Sequence, residues 1–507
     1  MKTRKSFYTS ILLVIGAIVL ANVLSVDFFT RIDLTENHSY TLSKASKAVV
    51  ANLEDPITIK AYFSENLPPN VAQVRQDFKD LLIEYANLSN GNLVYEFINP
   101  NGDENLEQEA TKSGINAVMI NVREKDEVKQ QKAYMGAVIE QADRLDVIPF
   151  LQPGEAMEYA LTTSIKKVTV VDKPSIALLQ GHGEPSMEDM QQVTQSVNVL
   201  YNFEPISLVD LEAIPTRFKT VAIIAPKDTI TSNQLAKLDT YLSNGGQLLI
   251  AINRVKGDLQ NASGTAVYTG LESWLQQKRI IIDDKFLIDT KSASINVQQQ
   301  QGTFRISSQV QFPYLPIINN FSDHPISKGL EAMLLPFASP ITYTGDSTIH
   351  YQPLAFTSAQ SGTVSVPTYF DIQRQWTTSD FPLGKQVVAA AFSGTIVSGS
   401  ESKMVVIGDG DFAVNNQGEG QQPQALQPDN LSFFINSIDW LSDDTGLIDL
   451  RTKAVTSRPL DQLEDGTRSL LKYLNFFLPM LLVIIYGLFR MQLKRRIRVK
   501  RMEVSYE

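Results

Sequence analysis

The sequence predicts an α/β protein: a small mixed domain, then a larger doubly wound domain with a β-rich insertion, flanked by two transmembrane helices. Three observations carry that prediction. Apolar runs of spanning length lie near both termini. Strand and helix patterns alternate over residues 57–167. Four apolar strand patterns between residues 175 and 407 are each followed by a turn signal and a helical pattern. With 507 residues the chain is long enough for several domains and for cores of ordinary size.

The first apolar run, residues 6–26, holds 21 residues without a formal charge. A helix rising about 1.5 Å per residue needs roughly 20 apolar residues to cross the hydrocarbon core of a bilayer. A cleavable signal peptide fits the same basic start, with Val19-Leu20-Ala21 as its small-residue site, but the apolar stretch exceeds the usual length of such a segment. The second run, residues 473–489, gives 17 uncharged residues, extended by Leu470 and Leu471. Pro479 inside it is tolerated where neighbouring helices satisfy the freed carbonyl.

Charge is segregated. Lys2, Arg4 and Lys5 lie at one tip, and Arg490, Lys494, Arg495, Arg496, Arg498, Lys500 and Arg501 at the other. Residues 6–489 then carry 35 basic and 53 acidic side chains, a net −18 against −10 for the whole chain. Basic flanks mark the cytoplasmic side of a span, so both tips are expected in the cytoplasm and the acidic bulk across the membrane, in a bacterial periplasm. The acidic balance argues against nucleic acid as a partner.

The division expected is a tip and first span (1–29), a first α/β domain (30–171) and a second (172–450) with its insertion at about 283–400. A linker (451–467), a second span (468–491) and a basic tail (492–507) complete it. In the first domain Ser43 is the N-cap of a helix over 44–52. Ile57–Phe63 reads as a strand, and Val71, Val74, Phe78, Leu81, Leu82 and Tyr85 recur at helical spacing. Leu93–Ile98, 117–122 and 131–140 read as strands, and Glu104–Lys112 and 153–167 as helices. This β-α-β-α-β-β-α order is thioredoxin-like. The positions where such a domain carries its paired cysteines are empty, and the chain has no cysteine at all, so thiol chemistry, disulfides and cysteine-rich metal sites are excluded.

In the second domain, strands at Ser175–Gln180, 220–225, 247–252 and 403–407 alternate with helices at 187–201, 232–242, 271–278 and 430–441, the pattern of a parallel sheet covered on both faces. Within 283–400 the patterns at 283–293, 303–312 and 363–372 are strands. Residues 415–429 are polar, Gln- and Pro-rich, and expected as an exposed loop.

Two turns follow strand ends, where open α/β sheets bind ligands. Gly181-His182-Gly183-Glu184 joins glycines that allow close backbone approach to an imidazole and a carboxylate. Asp409 and Asp411 pair two carboxylates after the last strand, suited to a cation or to shared acid–base work. The competing account of both is a tight turn closed by its own hydrogen bonds, which asks less of the residues. Candidate ligand-binding residues are therefore Gly181, His182, Gly183, Glu184, Asp409 and Asp411, with no catalytic residue, metal ligand or cofactor assigned. His324 is read as a cap. No G-x-S-x-G or G-x-x-x-x-G-K-[ST] pattern occurs, so the chain is expected to be non-enzymatic, with ATP hydrolysis on a partner.

Arg31-Ile32-Asp33-Leu34-Thr35, Tyr40-Thr41-Leu42-Ser43, Leu179 through Glu184 and Gly408-Asp409-Gly410-Asp411-Phe412, in this order between terminal spans, resemble the GldG family of gliding-associated ABC-transporter components. The resemblance covers nearly the whole chain. It implies assembly with a multispan ABC permease and a cytoplasmic ATPase subunit in the inner membrane of surface-gliding bacteria, and it supplies no ligand. The α/β core also resembles class I glutamine-amidotransferase-like domains without their nucleophilic cysteine. The competing function is a membrane-tethered envelope hydrolase using His182, Glu184, Asp409 and Asp411.

Overall fold

In the first α/β region, the strand Ile57–Phe63 alternates burial so that Ile57, Ile59 and Ala61 are fully enclosed while Thr58 is exposed. It lies in a four-stranded sheet ordered Leu93–Ile98, Ile57–Phe63, Met135–Gln141, Arg144–Ile148. The first pair is parallel and the other two are antiparallel. Helix Pro69–Leu88 makes the crossover and buries Val71, Val74, Phe78, Leu82 and Tyr85, the stripe its spacing requires. Ser43 caps helix Lys44–Ala51 through its side-chain oxygen, which accepts the Ser46 amide at 3.0 Å.

These coordinates are a computed structural model describing residues 13–16, 41–65, 67–124, 127–152, 156–170, 172–301, 304–345, 347–415, 424–443, 446–448, 450 and 465–503. Of the first apolar run only residues 13–16, which are helical, fall among them; most of the 415–429 loop and of the 451–467 linker lies outside.

The strand expected at 131–140 is two strands. Glu127–Ala133 pairs with Val118–Glu124 in a separate two-stranded ribbon, and Met135–Gln141 enters the sheet. Ala133, Tyr134, Met135, Ala137, Val138 and Ile139 are all buried, whereas Gln131 is only half-buried and the Lys132 side chain is more than half exposed. The chain therefore divides where its apolar run begins, and Ser64 and Tyr134 hold the division by exchanging backbone and side-chain hydrogen bonds.

The second region is built on an eight-stranded sheet. Its order is Asn320–Phe321, Ile349–Phe356, Val387–Gly394, Ser402–Ile407, Gln247–Ala251, Phe218–Ile224, Ser175–Gln180, Asn202–Ser207. The last five strands are mutually parallel and the first three join antiparallel. Three strands inside 283–400, Asn320–Phe321, Ile349–Phe356 and Val387–Gly394, thus extend the main sheet. The remainder of that stretch forms short ribbons around an aromatic core of Phe286, Phe312, Tyr314 and Phe370.

Both faces of the sheet are covered. Ile176 and Leu178 face a core shared with Phe433, Phe434 and Ile438 of helix Pro428–Ser442. Their neighbours Ala177 and Leu179 face the opposite core, with Leu238 and Leu242 of helix Ser232–Ser243 and Trp274 of helix Leu271–Gln277. This is why the strand sequences read as unbroken apolar runs.

The chain lays Ser175–Gln180 first, Asn202–Ser207 on one side of it and Phe218–Ile224 on the other. The crossover direction reverses there, so the carboxyl ends of Ser175–Gln180 and Phe218–Ile224 flank the point where a crevice opens in such sheets.

Residues 456–507 form a second compact unit. It contains the 39-residue helix Asp465–Glu503, with Pro479 inside. Within that helix Lys472–Val499 is long and apolar enough to cross a membrane, the one such helix among the described residues.

Candidate functional site

The strand Ser175–Gln180 ends at Gly181, whose φ is +109°, and Gly183 follows at +75°. These left-handed backbones need glycine, and they turn the chain back within three residues. His182 between them is 3% exposed. Glu184 folds over it: one carboxylate oxygen accepts the His182 amide at 2.6 Å and the other lies 3.2 Å from the ring Nδ1. The His182 carbonyl accepts the amides of Lys227 and Asp228, both at 2.8 Å. The two turns beside the switch point are therefore tied through the backbone.

The helix expected to begin at Met187 begins instead at Gln191 and ends at Val197. Asp189 accepts the Ser186 amide at 2.9 Å and its hydroxyl at 2.8 Å, while Ser186 accepts the Asp189 amide at 3.2 Å. These reciprocal bonds have the form of a capping box, but they close a turn, and the helix proper begins only after it.

Asp409 and Asp411 follow Ser402–Ile407 on the same sheet edge. Asp409 is fully buried and accepts the Asp411 amide at 2.8 Å. Burial, reinforced by the neighbouring Asp411 charge, pushes the Asp409 carboxyl well above the usual carboxylate range. Burial also raises Asp411, opposed by a hydrogen bond from Asn253 at 3.0 Å and by the charges of Lys227 and Lys256. Asn253, just past Gln247–Ala251, also accepts the Gly410 amide at 2.7 Å. Gly410 is required by space: a Cβ there would lie 2.8 Å from the Cα of Ala225.

Three strand-end turns thus converge on a fourth, and the edge presents one carboxyl disposed to hold its proton, one buried imidazole and the exposed Lys227. His182 Nε2 and Asp409 Oδ2 are buried and make no hydrogen bond among the described residues. All six sequence candidates lie on this edge, but no hydrogen bond joins the His182–Glu184 pair to the Asp409–Asp411 pair. Gln247–Ala251 and Phe218–Ile224 intervene between their strands, a separation of about 14 Å at ordinary strand spacing. No three His, Asp or Glu side chains among the described residues are grouped to hold a metal ion.

Sequence reasoning missed Lys227, Asp228 and Asn253. The signal was present, since each is a polar residue directly following an apolar strand, as His182 and Asp409 are. His324 is 5% exposed and its Nδ1 accepts the Ile326 amide at 3.2 Å, a local cap as expected.

The family described as ABC-type uncharacterized transport system matches residues 173–442, more than half of the chain and the whole of the eight-stranded sheet. The chain belongs to this ABC-type transport family. A domain of unknown function matches residues 36–140. An uncharacterized protein of Borreliella burgdorferi is 21% identical over 505 residues, covering 94% of this chain and 96% of that one.

Among solved structures, mmIFT52 N-terminal domain is 14% identical over 53% of this chain and 98% of its own, with a TM-score of 0.35. A putative thua-like protein from Parabacteroides merdae is 10% identical over 57% and 94%, with a TM-score of 0.29. Membership of the ABC-type transport family ties the chain to an ABC transporter, and its C-terminal apolar helix fits membrane association. The rim just described lies wholly within the ABC-type family match.

Proposed function

We propose that this protein is a non-enzymatic, membrane-anchored subunit of an ABC transporter of the gliding-associated GldG type. It holds both termini in the cytoplasm and projects its acidic α/β bulk into the periplasm. There it receives cargo at the rim formed by Gly181–Glu184, Asp409 and Asp411, or couples the permease to envelope partners. ATP hydrolysis belongs to a cytoplasmic partner.

The observation that carries this reading is the family match over the whole sheet and its switch-point rim, in a chain that also holds a spanning-length helix with a basic tail. The strand order of the first sheet supports reading it as a thioredoxin-like scaffold without its thiols. The five parallel strands, with the second and third on opposite sides of the first, support an amidotransferase-like core. The hydrolase reading is weakened by the strand spacing between the His182–Glu184 and Asp409–Asp411 pairs, because acid–base catalysis needs its groups within hydrogen-bond reach of one reacting site.

The test is purification of the tagged full chain from its native host in mild detergent. A permease and an ATPase should co-purify in fixed ratio. Recovery of the chain alone, with full retention in the membrane, would remove the transporter reading.

A further inference from the structure

The helix Asp465–Glu503 does not stop where its apolar run does. After Phe489, the last of 17 uncharged residues, the same helix carries Arg490, Lys494, Arg495, Arg496 and Arg498, all exposed. Lys500 and Arg501 prolong the run in sequence. At about 1.5 Å per residue the apolar part covers about 25 Å, and Arg490–Arg498 about 12 Å more. A hydrocarbon core is about 30 Å thick, and the polar layers add roughly 5–8 Å on each side. With the helix spanning, Arg490 falls at the boundary of the core. The other four fall within or just beyond the headgroups, inside about one screening length of the lipid phosphates.

The distribution of these charges around the axis says what they face. With Arg490 as zero and about 100° per residue, Lys494 lies at about 40°, Arg498 at about 80°, Arg495 at about 140° and Arg496 at about 240°. Cations thus point to every side, with no gap wider than about 120°. The apolar residues among them are scattered too, Met491 at about 100°, Val499 at about 180°, Leu493 at about 300° and Ile497 at about 340°. A helix shaped for a protein groove gathers its apolar residues on one face and its charges on the other. Neither set is gathered here. The acids of the helix, Asp465 and Glu503, stand more than four positions from each of the five cations, beyond the reach of pairing along a helix face. Complementing the helix dipole would call for cations in the last turn alone, and Arg490 precedes Glu503 by roughly three turns.

We propose that Arg490–Arg498 gathers anionic phospholipid, its cations engaging the phosphodiester headgroups of lipids on all sides of the helix. The inference rests on the helix spanning the membrane, as read above, and goes beyond that reading by assigning the lipid. Four of the five cations are arginine, whose planar fork matches phosphate oxygens.

The purified full chain is reconstituted into phosphatidylcholine vesicles, and flotation reads insertion. Trace phosphatidylglycerol or phosphatidylcholine bearing an acyl-chain nitroxide is added, and electron spin resonance reads the fraction held at the protein. Phosphatidylglycerol should associate at least about threefold more strongly than phosphatidylcholine. Arg490→Gln, Lys494→Gln, Arg495→Gln, Arg496→Gln and Arg498→Gln together should bring the two lipids level. Arg495→Gln with Arg496→Gln, or the other three together, should each remove part of the preference. Sodium chloride should weaken it, and sodium phosphate at equal ionic strength should weaken it no further. Equal association of the two lipids with the parent chain, or an unchanged preference in the fivefold variant, overturns the proposal. So does loss of the whole preference in either partial variant, which marks a one-sided pocket, or selective competition by free phosphate. Failure to float with the neutral vesicles would remove the spanning reading itself, and the lipid assignment with it.

Discussion

Glu184 grips His182 at two points, its Oε2 on the backbone amide at 2.6 Å and its Oε1 beside the ring Nδ1 at 3.2 Å. One carboxylate thereby fixes both the turn and the imidazole that the turn carries. Glu184→Ala leaves the buried amide without its acceptor and should lower stability by about 1–3 kcal/mol. Glu184→Gln retains one acceptor and should lose less. Urea unfolding of the full chain in detergent reads the difference, and equal losses would contradict the two-point geometry.

Gly410 is placed by contact rather than by dihedral, its φ being an ordinary −81°. Its missing Cβ leaves room for Ala225, where both Cα and Cβ would otherwise lie under 3 Å. Because backbone is the obstacle, Gly410→Ala should destabilise by about 1–3 kcal/mol, as overpacking does. Gly384→Ala, with open space around it, is the control and should differ little from the parent in its melting temperature.

The acid pair at 409–411 gives the rim a pH signature. Asp409 is raised in the folded state by burial and then by Asp411. Its stabilising share is complete below the unfolded value of about 3.9 and is lost as pH rises toward the folded value, since only the unfolded chain readily ionises. Asp409→Asn removes that loss while keeping an oxygen for the Asp411 amide. The variant should gain on the parent steadily as pH climbs above about 4, by up to about 1.4 kcal/mol per pH unit. Parallel stability curves from pH 4 to 8 would refute this.

His324 acts with the opposite sign. Burial first, then the charges of His350 and Lys403, push its imidazole down to about 4. Its stabilising share is complete above the unfolded value of about 6.5 and drains away as pH falls toward 4. The ring packs edge-on against Trp440 at 5.2 Å, so an added proton also meets an apolar neighbour. His324→Gln should flatten the acid limb of the denaturation midpoint below pH 6.5.

What the sequence disclosed follows from which forces are local. The strand Ile57–Phe63 and the stripe on helix Pro69–Leu88 were legible because burial period and backbone period coincide. The break at Tyr134 was hidden because Gln131 through Ile139 is compatible with one extended segment, and only pairing with Ser64 divides it. The start of helix Gln191–Val197 was placed too early because Ser186 and Asp189 make the reciprocal bonds of a capping box around a turn that precedes the helix. At the rim, the glycines and acids announced themselves by type. Asn253 did not, since its role arises from strand order, which places its turn beside Gly410 although the two are 157 positions apart in sequence.

The account rests on where the membrane lies, and the absence of cysteine makes that directly measurable. Tyr369, 84% exposed, is replaced by Cys in one variant and Ser505 of the basic tail in another. Intact spheroplasts are then treated with a membrane-impermeant maleimide. Tyr369→Cys should react at once and Ser505→Cys only after lysis. Labelling of Ser505→Cys in intact cells, or protection of Tyr369→Cys until lysis, would contradict the arrangement.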